Sequence, residues 1–300
     1  MSEPVIFILF NRPEKTARVF DAIRQYKPSR LHIIADGPRL THENDEKLCK
    51  SARSIIDTVD WRCDLTHDYA TQNMGCRQRV STGLVKAFEI YERAIILEDD
   101  CLPNQSFFNF SEELLDRYES REEIMHIGGN NFLSQKENTD PGSYYFSKLF
   151  HIWGWATWRR AWKFYDVDMK DWPRFKKSGH FKKLLPDPLM RSYWSRTFDL
   201  SYNKKIDSWD HQWCYACLKA GGFSATPKNN LVINIGFDAD ATHTRSNQKN
   251  PASKSCELSF PLSHPNGFKW NRISDRIVQK KNFKRSYGGI RTFIDIVRGI

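Results

Sequence analysis

Three consecutive carboxylates, Glu98, Asp99 and Asp100, directly follow an apolar run over residues 94–97. Adjacent carboxylates repel one another, and a buried carboxylate is costly without a partner. A hard divalent cation such as Mg²⁺ or Mn²⁺ relieves that repulsion, and one or two carboxylates commonly hold such an ion against the oxygens of a bound diphosphate. The triplet therefore predicts a metal and nucleotide site. A solvated acidic turn at the start of the next helix is the alternative.

A second acidic position, Asp36, ends another apolar run and is followed by Gly37 and Pro38. A carboxylate there can accept a hydrogen bond from the imide N–H of a uracil ring, and Gly37 would let the base approach the backbone. A plain turn with proline at its second position also explains the pattern.

The segment Asn73-Met74-Gly75-Cys76-Arg77 precedes a predicted helix. Gly75 permits an unusual backbone angle, and Arg77 and Arg79 could contact phosphate or base edges. A loop with surface arginines is an equally good interpretation.

Four tryptophans lie between residues 150 and 162. Trp155, Trp158 and Trp162 are spaced as on one helical face, which favours core packing. Trp153 and Gly154 precede them, and an indole at that position could stack on a sugar ring.

Asp210 lies between tryptophans near the start of a predicted helix. A carboxylate partly desolvated by indoles has a raised pKa, which suits a general base. Asp210 or Ser208 could also cap the helix, and a cap can still act as a base. Further along, Asp238, Asp240 and His243 are able to bind metal, but they fit an exposed loop equally well.

Strand and helix patterns alternate through the first half of the chain and predict βαβ units. We therefore expect an α/β fold with a mixed, mostly parallel sheet flanked by helices, as in Rossmann-like proteins. In such a sheet ligands bind at the carboxyl ends of the strands. Asn11 with Arg12, Asp36 with Gly37, and the acidic triplet all follow predicted strands. The strands are predicted over residues 5–10, 31–35, 62–66, 94–97, 125–127 and 231–235, and helices over 46–59, 81–93, 107–118 and 210–220.

The chain of 300 residues, with 40% hydrophobic and 27% charged residues, has the composition of a globular protein and excludes disorder, collagen and coiled coil. We expect one compact catalytic domain, in which residues 1–130 form a nucleotide-binding half and residues 131–250 an acceptor-binding half; that the nucleotide carries a sugar is implied only by the resemblance described below. Without a long apolar span or an export signal, a cytoplasmic protein is expected. The seven cysteines are then reduced thiols, and the single CxxC, Cys214 to Cys217, is a weak metal signal.

The net charge of +10 is concentrated in a basic C-terminal tail, residues 251–300. From residue 269 onward nine Lys or Arg face two Asp, a net charge of +7. Such a tail predicts an anionic partner: membrane headgroups, a phosphate-bearing lipid or nucleic acid. Its apolar residues would let it lie on a membrane as an amphipathic helix, or pack against the body of the protein.

These segments together resemble the GT-A fold nucleotide-sugar glycosyltransferases, in particular the N-acetylglucosaminyltransferase I type family and related bacterial transferases of polysaccharide biosynthesis. The resemblance covers roughly residues 4–246 and depends on the order and spacing of its parts. Those parts are Phe10-Asn11-Arg12-Pro13, residues 35–37, residues 73–77, residues 95–103 with Phe107-Phe108, Gly129-Asn130-Asn131, Trp153-Gly154-Trp155, residues 209–213, and residues 234–236 with 241–243.

The resemblance implies roles for individual residues. The acidic triplet corresponds to the family's DXD-like motif, in which Asp100 would bind Mn²⁺ or Mg²⁺, Asp99 the ribose and Glu98 the donor sugar. Asp210 matches the carboxylate that inverting members use as base. Asp36 would bind uracil, Arg12 and Arg77 would lie near the base or phosphates, and Asn11, Gly37 and Trp155 would complete the donor site. The sequence departs from the family pattern in two places. The loop after Gly236 is acidic, whereas the corresponding loop of the family is basic, and the residues from Lys254 onward match no part of the family pattern.

The resemblance predicts a metal-dependent inverting glycosyltransferase that moves a sugar, in the expected case from a UDP-sugar, to a hydroxyl of a glycan or lipid-linked glycan. For the tail, peripheral contact with the inner face of a membrane and packing against the body both stay open, and no nucleic-acid partner is expected. Two other functions stay open. A nucleotidyltransferase would need a Gly-rich basic loop after the first strand, and a non-catalytic binder of anionic surfaces would leave the acidic residues unexplained.

Overall fold

The computed structural model describes residues 2–138, 140–237 and 254–283. Residue 237 is described by its backbone only. Asp238, Asp240 and His243, for which the sequence suggested metal binding, lie outside the described residues.

The first half of the chain alternates strands and helices, as predicted. β1 is apolar throughout and buried at every position, as expected for a strand covered on both faces. Only Phe10, Asn11 and Arg12 separate it from α1, which begins at Pro13. The elements are β1 (Val5–Leu9), α1 (Pro13–Tyr26), β2 (Arg30–Ala35), α2 (Asp45–Ser54), β3 (Asp64–Tyr69), α3 (Cys76–Ile90) and β4 (Arg93–Glu98).

The second half adds four strands to the same sheet, a separate pair of antiparallel strands (the fifth and the tenth along the chain) and a group of helices. Its elements are β5 (Cys101–Pro103), α4 (Gln105–Arg117), β6 (Ile124–Gly128), β7 (Tyr144–Ser147), β8 (Trp155–Trp158), α5 (Arg159–Trp162), α6 (Trp172–Lys177), α7 (Gly179–Leu184), α8 (Pro188–Tyr202), α9 (Asp210–Lys219), β9 (Phe223–Pro227), β10 (Val232–Asn234) and α10 (Arg272–Asn282). Short 3-10 helices cover Ile56–Thr58 and Ile235–Phe237.

The main sheet has eight strands in the order β3-β2-β1-β4-β8-β6-β9-β7. Six of them run in one direction, and β8 and β7 run against it. The prediction of a mixed, mostly parallel α/β sheet flanked by helices is confirmed. The carboxyl ends of β1, β2, β4 and β6 lie along one edge of this sheet, where the predicted crevice should be.

Alternate residues of each strand bury into two hydrophobic cores, one on each face of the sheet. In β1, Ile6 and Ile8 join the core that α3 covers, whereas Val5, Phe7 and Leu9 join the core that α1 and α4 cover. Strands from both halves of the chain share these cores.

The tryptophan segment differs from its predicted helix. Residues Trp155–Trp158 form β8, which lies antiparallel between β4 and β6, and only Arg159–Trp162 are helical. Trp155 and Trp158 nevertheless are buried, as the core-packing interpretation requires. The strand predicted over residues 62–66 also begins and ends later, at Asp64–Tyr69.

The described part of the tail packs against the body. Glu257 accepts a hydrogen bond from the backbone N–H of Ser106, at 2.9 Å, in the first turn of α4. The backbone N–H of Asn271 donates to the carbonyl of Phe146 in β7, at 2.8 Å. α10 therefore lies along the outer edge of the sheet, beside β7.

Candidate active site

The acidic triplet lies at the end of β4, against the residues that follow β1. The backbone N–H of Phe10 donates to Asp99 Oδ2 at 3.1 Å. The guanidinium of Arg12 lies 2.6 Å from Asp99 Oδ1 and 2.9 Å from Asp100 Oδ2, so it bridges the two carboxylates. Both acids are almost fully buried. The structure thus brings together two of the predicted donor-binding segments through direct ion pairs.

Glu98 has no such pairing. Its Oε1 atom is buried and has no hydrogen-bond partner among the described residues. Burial raises the pKa of Glu98 well above its usual range, and the charges of Asp100 and Asp99 raise it further. Burial likewise raises the pKa of Asp99, against the opposing effect of Arg12. Glu98 therefore holds a proton more readily than an ordinary glutamate, whereas at Asp99 and Asp100 a single guanidinium faces two carboxyl groups.

Asp210 faces the same cluster from the start of α9. Its charge also raises the pKa of Glu98, so the two carboxyl groups interact electrostatically. Asp210 is only 7% exposed, and its Oδ1 has no partner in the described part of the chain. Its other oxygen lies 3.8 Å from His211 Nε2. Trp209 is the N-cap residue of α9 and makes no side-chain cap hydrogen bond, and the adjacent Asp210 keeps Oδ1 unpaired among the described residues.

Cys76 is a neighbour of these carboxyl groups that the sequence analysis did not single out. It is the first residue of α3. Burial raises the pKa of its thiol well above the usual value, and the charges of Glu98 and Asp210 add to the shift. The thiol is therefore protonated at neutral pH and is a poor nucleophile. Its signal in the sequence was its position after Gly75, directly at the start of a helix.

Residues near the end of β10 close one side of the cluster. The backbone N–H of Ile235 donates to the carbonyl of Asp100 at 2.8 Å. A Cβ atom at Gly236 would lie 2.6 Å from Asp100 Oδ2, so only glycine permits this close approach. The chain thus reaches Asp100 immediately before the residues that the structure does not describe.

Asp36 has contacts that differ from its predicted role. Its Oδ1 accepts hydrogen bonds from the backbone N–H groups of Gly37 and Met74, and its Oδ2 accepts from Gly75 N–H and Asn73 Nδ2, at 2.8 to 3.1 Å. These four bonds use the acceptor capacity of a carboxylate. In this conformation Asp36 holds the loop before α3, and its contact with uracil stays a prediction that would require some of these bonds to be exchanged.

Gly37 packs closely against the backbone of Gln72. A Cβ atom there would lie 2.4 Å from the backbone carbon of Gln72. The close approach that the sequence analysis expected of a base is made by residue 72 instead.

Two further predicted donor-site residues bind other parts of the chain. Asn11 Nδ2 donates to Asp45 Oδ1 at 2.8 Å, which ties the end of β1 to the start of α2. Arg77 donates to the carbonyls of Val167 and Ser201 at 2.5 and 3.3 Å. Its guanidinium thus joins α3 to the segments around α8, rather than adding positive charge to the acidic cluster.

Trp155 lies beneath the site. It is fully buried, and its ring packs against those of His126, Trp209 and Trp213 at centroid distances of 5.5 to 5.6 Å. This placement is the core packing expected of Trp155. Trp153, for which the sequence suggested stacking on a sugar ring, is half-buried, and its ring packs against Phe132 at a centroid distance of 5.2 Å. Trp155 supports Trp209, the residue before Asp210, and so helps to position the start of α9.

Asn130 follows β6 at the same edge of the sheet, across β8 from the acidic triplet. Its side chain is fully buried, and neither its amide oxygen nor its amide nitrogen has a partner among the described residues. A buried amide without partners is costly, which marks the position as one that a water or ligand group could satisfy. The sequence analysis noted the segment only as part of the resemblance.

The donor atoms at this edge suit a hard cation that is completed by substrate. Within the described residues no group of three or more His, Cys, Asp or Glu side chains is arranged to hold a metal ion. A protein site for Mg²⁺ commonly offers one or two carboxylates and takes its other ligands from phosphate and water. Asp100, with the unpaired Glu98 nearby, offers oxygen atoms of that kind, so the residues present fit a metal that binds together with a diphosphate.

No helix among the described residues is both long and apolar enough to cross a membrane.

Comparisons with known proteins give weak similarities of architecture. The sequence matches no protein family, and no curated protein matches it. The mannosyltransferase PcManGT from Pyrobaculum calidifontis, in complex with GDP-Man and Mn²⁺, is 12% identical over 72% of this chain and 70% of its own, with a TM-score of 0.41. GalNAc-T7 with UDP, GalNAc and Mn²⁺ is 15% identical over 56% of this chain and 38% of its own, with a TM-score of 0.40. The UTP-bound UGPase from Acinetobacter baumannii is 7% identical over 79% and 90%, with a TM-score of 0.39. With TM-scores this low, the similarities assign no activity to the chain.

Proposed function

We propose that this protein is a metal-dependent, inverting GT-A glycosyltransferase. Its donor is a nucleoside diphosphate sugar, in the favoured case a UDP-sugar, and its acceptor is a hydroxyl of a glycan or lipid-linked glycan. One observation carries the proposal. Four interacting carboxyl groups at the carboxyl edge of the sheet, Glu98, Asp99, Asp100 and Asp210, have only Arg12 and His211 within ion-pair distance in the described residues.

The excess of negative charge supports a cationic ligand at Asp100. Burial of several carboxylates with few basic partners is unfavourable in the free protein. A divalent cation held by Asp100 and a diphosphate would reduce this cost, and when bound it would neutralise charge on the departing nucleotide. Glu98 and Asp99 border the same space, so we assign them contacts with the donor sugar and ribose.

Asp210 is the proposed general base. Its unpaired Oδ1 accepts the proton of the acceptor hydroxyl, and the hydroxyl oxygen forms a bond to the anomeric carbon as the bond from that carbon to the diphosphate oxygen breaks. Because the oxygen attacks from the face opposite the diphosphate, one displacement inverts the anomeric configuration. Trp209 and His211, the residues on either side of Asp210 in the chain, are both buried, so the proposed base lies at the end of a packed helix.

Other parts of the donor site have supporting rather than direct roles in this proposal. Arg12 positions Asp99 and Asp100. Asp36, with Gly37, orders the loop that leads to Cys76, and Asn11 and Arg77 fix the flanking helices. Within the chain, residues 1–130 would then supply the nucleotide side of the site and residues 131–250 the acceptor side.

A donor-hydrolysis screen tests the proposal, because water can replace the acceptor hydroxyl. UDP-, GDP-, CMP- and dTDP-sugars are incubated with the protein, with and without Mn²⁺. Release of the nucleotide is measured, which is a nucleoside diphosphate in every case except CMP. We expect Mn²⁺-dependent release from one nucleotide class, and an NMR signal for the inverted free sugar before mutarotation. Release of pyrophosphate from a nucleoside triphosphate and a sugar phosphate would instead identify a nucleotidyltransferase.

Asp210→Asn separates the base from the binding site. We expect hydrolysis to fall by roughly 10²–10⁴-fold, the usual contribution of general-base catalysis, while nucleotide affinity is unchanged. Asp21→Asn is the matched control, since Asp21 is an exposed carboxylate paired with Arg24 on α1. Near-full activity of Asp210→Asn would refute the assigned base, and a retained anomeric configuration would refute the single displacement.

A further inference from the structure

The outer side of α10 combines basic and aliphatic side chains. At 100° per residue, positions 272, 273, 276, 277 and 280 fall within one arc of the helix, and positions 274, 275, 278 and 279 fall in the opposite arc. The second arc is buried and the first is exposed except at Ile277, which is half-buried. Ile273 is 70% exposed.

The buried arc fixes the orientation of the helix. The carboxylate of Asp275 accepts hydrogen bonds from Ser147 Oγ at 2.5 Å, from the backbone N–H of Lys148 at 2.8 Å and from Trp270 Nε1 at 2.6 Å. Val278 is buried in the core beside it. These contacts hold the buried arc of α10 against β7. The basic arc of α10 lies on the opposite side of the helix and therefore faces away from the protein.

The start of α8 extends this surface. Asp187 caps α8 by accepting from the backbone N–H of Leu189 at 2.9 Å, and its Oδ2 lies 3.5 Å from Arg276 Nε. Leu189 is 58% exposed. We use the term outer basic face for Leu189, Arg272, Ile273, Arg276 and Lys280. Among the described residues, Asp187 is the acidic group that the structure pairs with this face.

The chemistry of the outer basic face matches an anionic lipid surface. Lys and Arg side chains are attracted to an anionic leaflet, and Leu and Ile side chains gain free energy when they leave water for the acyl region. Aliphatic side chains gain little from nucleic-acid bases, which stack on aromatic rings. The sequence beyond Phe283 continues the positive charge, with Lys284, Arg285, Arg291 and Arg298 against Asp295.

We propose that the outer basic face docks on a bilayer containing anionic phospholipid, with Leu189 and Ile273 entering the boundary between headgroups and acyl chains. The proposal is independent of the transferase activity. It differs from the tail lying on the membrane by itself, because α10 docks as part of the folded body and together with α8.

Vesicle co-sedimentation of the full chain tests this docking. Vesicles of phosphatidylcholine alone are compared with vesicles of phosphatidylcholine and phosphatidylglycerol at a ratio of about 7:3, an anionic content that gives a strongly negative surface. We expect binding to the anionic vesicles only, weakened by salt because the charges are exposed.

The double variant Leu189→Glu/Ile273→Glu removes both aliphatic contacts and adds two negative charges. We expect its partition coefficient for anionic vesicles to fall at least about tenfold, which corresponds to 1.4 kcal/mol. The control is Val85→Glu/Ile90→Glu on α3, where the two side chains are 46% and 59% exposed. All four positions are exposed, so both variants should keep the wild-type far-UV spectrum and melting temperature.

Three results would overturn the proposal. The wild type could sediment equally with neutral vesicles, or the Leu189→Glu/Ile273→Glu variant could bind anionic vesicles as tightly as the control. Binding to a single-stranded oligonucleotide without binding to anionic vesicles would show that the basic surface serves nucleic acid instead.

Discussion

Replacing Arg12 by methionine would remove the guanidinium that bridges Asp99 and Asp100 while keeping most of the side chain's apolar length. The two carboxylate side chains are only 3% and 10% exposed, so their charges would be left buried without this partner. Breaking a buried ion pair by removing one member costs about 3–5 kcal/mol. The Arg12 side chain is 27% exposed, which places the expected loss near 3 kcal/mol.

Thermal unfolding at pH 7.5 measures this loss. For a protein of this size, 1 kcal/mol corresponds to roughly 2–4 °C, so we expect the melting temperature to fall by about 6–12 °C. Mn²⁺ should restore part of the stability, because a divalent cation replaces the missing positive charge. The loss should also shrink as the pH falls, because burial raises the pKa of Asp99 and this carboxyl takes up a proton in the folded state.

Arg159→Met is the matched control. Arg159 pairs with Glu92, but both side chains are exposed, 38% and 77%, and surface pairs contribute about 0–1 kcal/mol. A melting temperature of the Arg12→Met variant equal to that of the control would refute the reasoning. So would an equal effect of Mn²⁺ on both variants, because the charge imbalance would then not lie at Asp99 and Asp100.

Two other predictions concern Asp36 and Asp275. Asp36→Ala leaves four hydrogen-bond donors of the loop without their acceptor and should lower the free energy of unfolding in urea by about 1–3 kcal/mol. Nucleotide affinity should weaken only because the loop is less ordered. Unchanged stability with lost nucleotide affinity would instead support a direct contact between Asp36 and uracil. Burial raises the pKa of Asp275 to about 6 from an ordinary value of 3.8, so the folded state binds its proton more tightly than the unfolded chain. This stabilisation is fully present below about pH 3.8 and is lost as the pH rises through about 6. Over that range the wild type should lose up to about 3 kcal/mol of unfolding free energy relative to Asp275→Asn. Parallel profiles of unfolding free energy against pH for the two proteins would contradict the shift.

The strands and the edge that holds the site could be predicted from the sequence where one local pattern determined the structure. β1 and β4 are continuous apolar runs, and a strand buried on both faces needs such a run. Polar residues directly after these strands had to lie at the carboxyl edge of a parallel sheet, which brought Arg12 and the acidic triplet together.

The errors came from contacts between segments distant in the chain. Trp155 belongs to a strand that runs antiparallel between β4 and β6, and residues 155–158 contain tryptophans at spacings that fit a helix equally well. Asp36 fits a ligand acceptor by type, but residues 73–75 supply its hydrogen bonds. No local pattern could predict that these donors return to Asp36, because the path of the loop depends on the packing of α3 against the sheet.

The most direct test of the acidic site as a metal-dependent nucleotide site is isothermal titration calorimetry of UDP into the 300-residue protein. UDP is titrated with Mn²⁺ and with EDTA, into the wild type and into Asp100→Asn, which keeps the size of the side chain and removes its charge. We expect saturable UDP binding that requires Mn²⁺ in the wild type and is lost in Asp100→Asn. GDP, CDP and dTDP in the same cell identify the preferred base. Absence of Mn²⁺-dependent heat with every one of these nucleotides, or the same affinity in Asp100→Asn as in the wild type, would contradict a cation at Asp100.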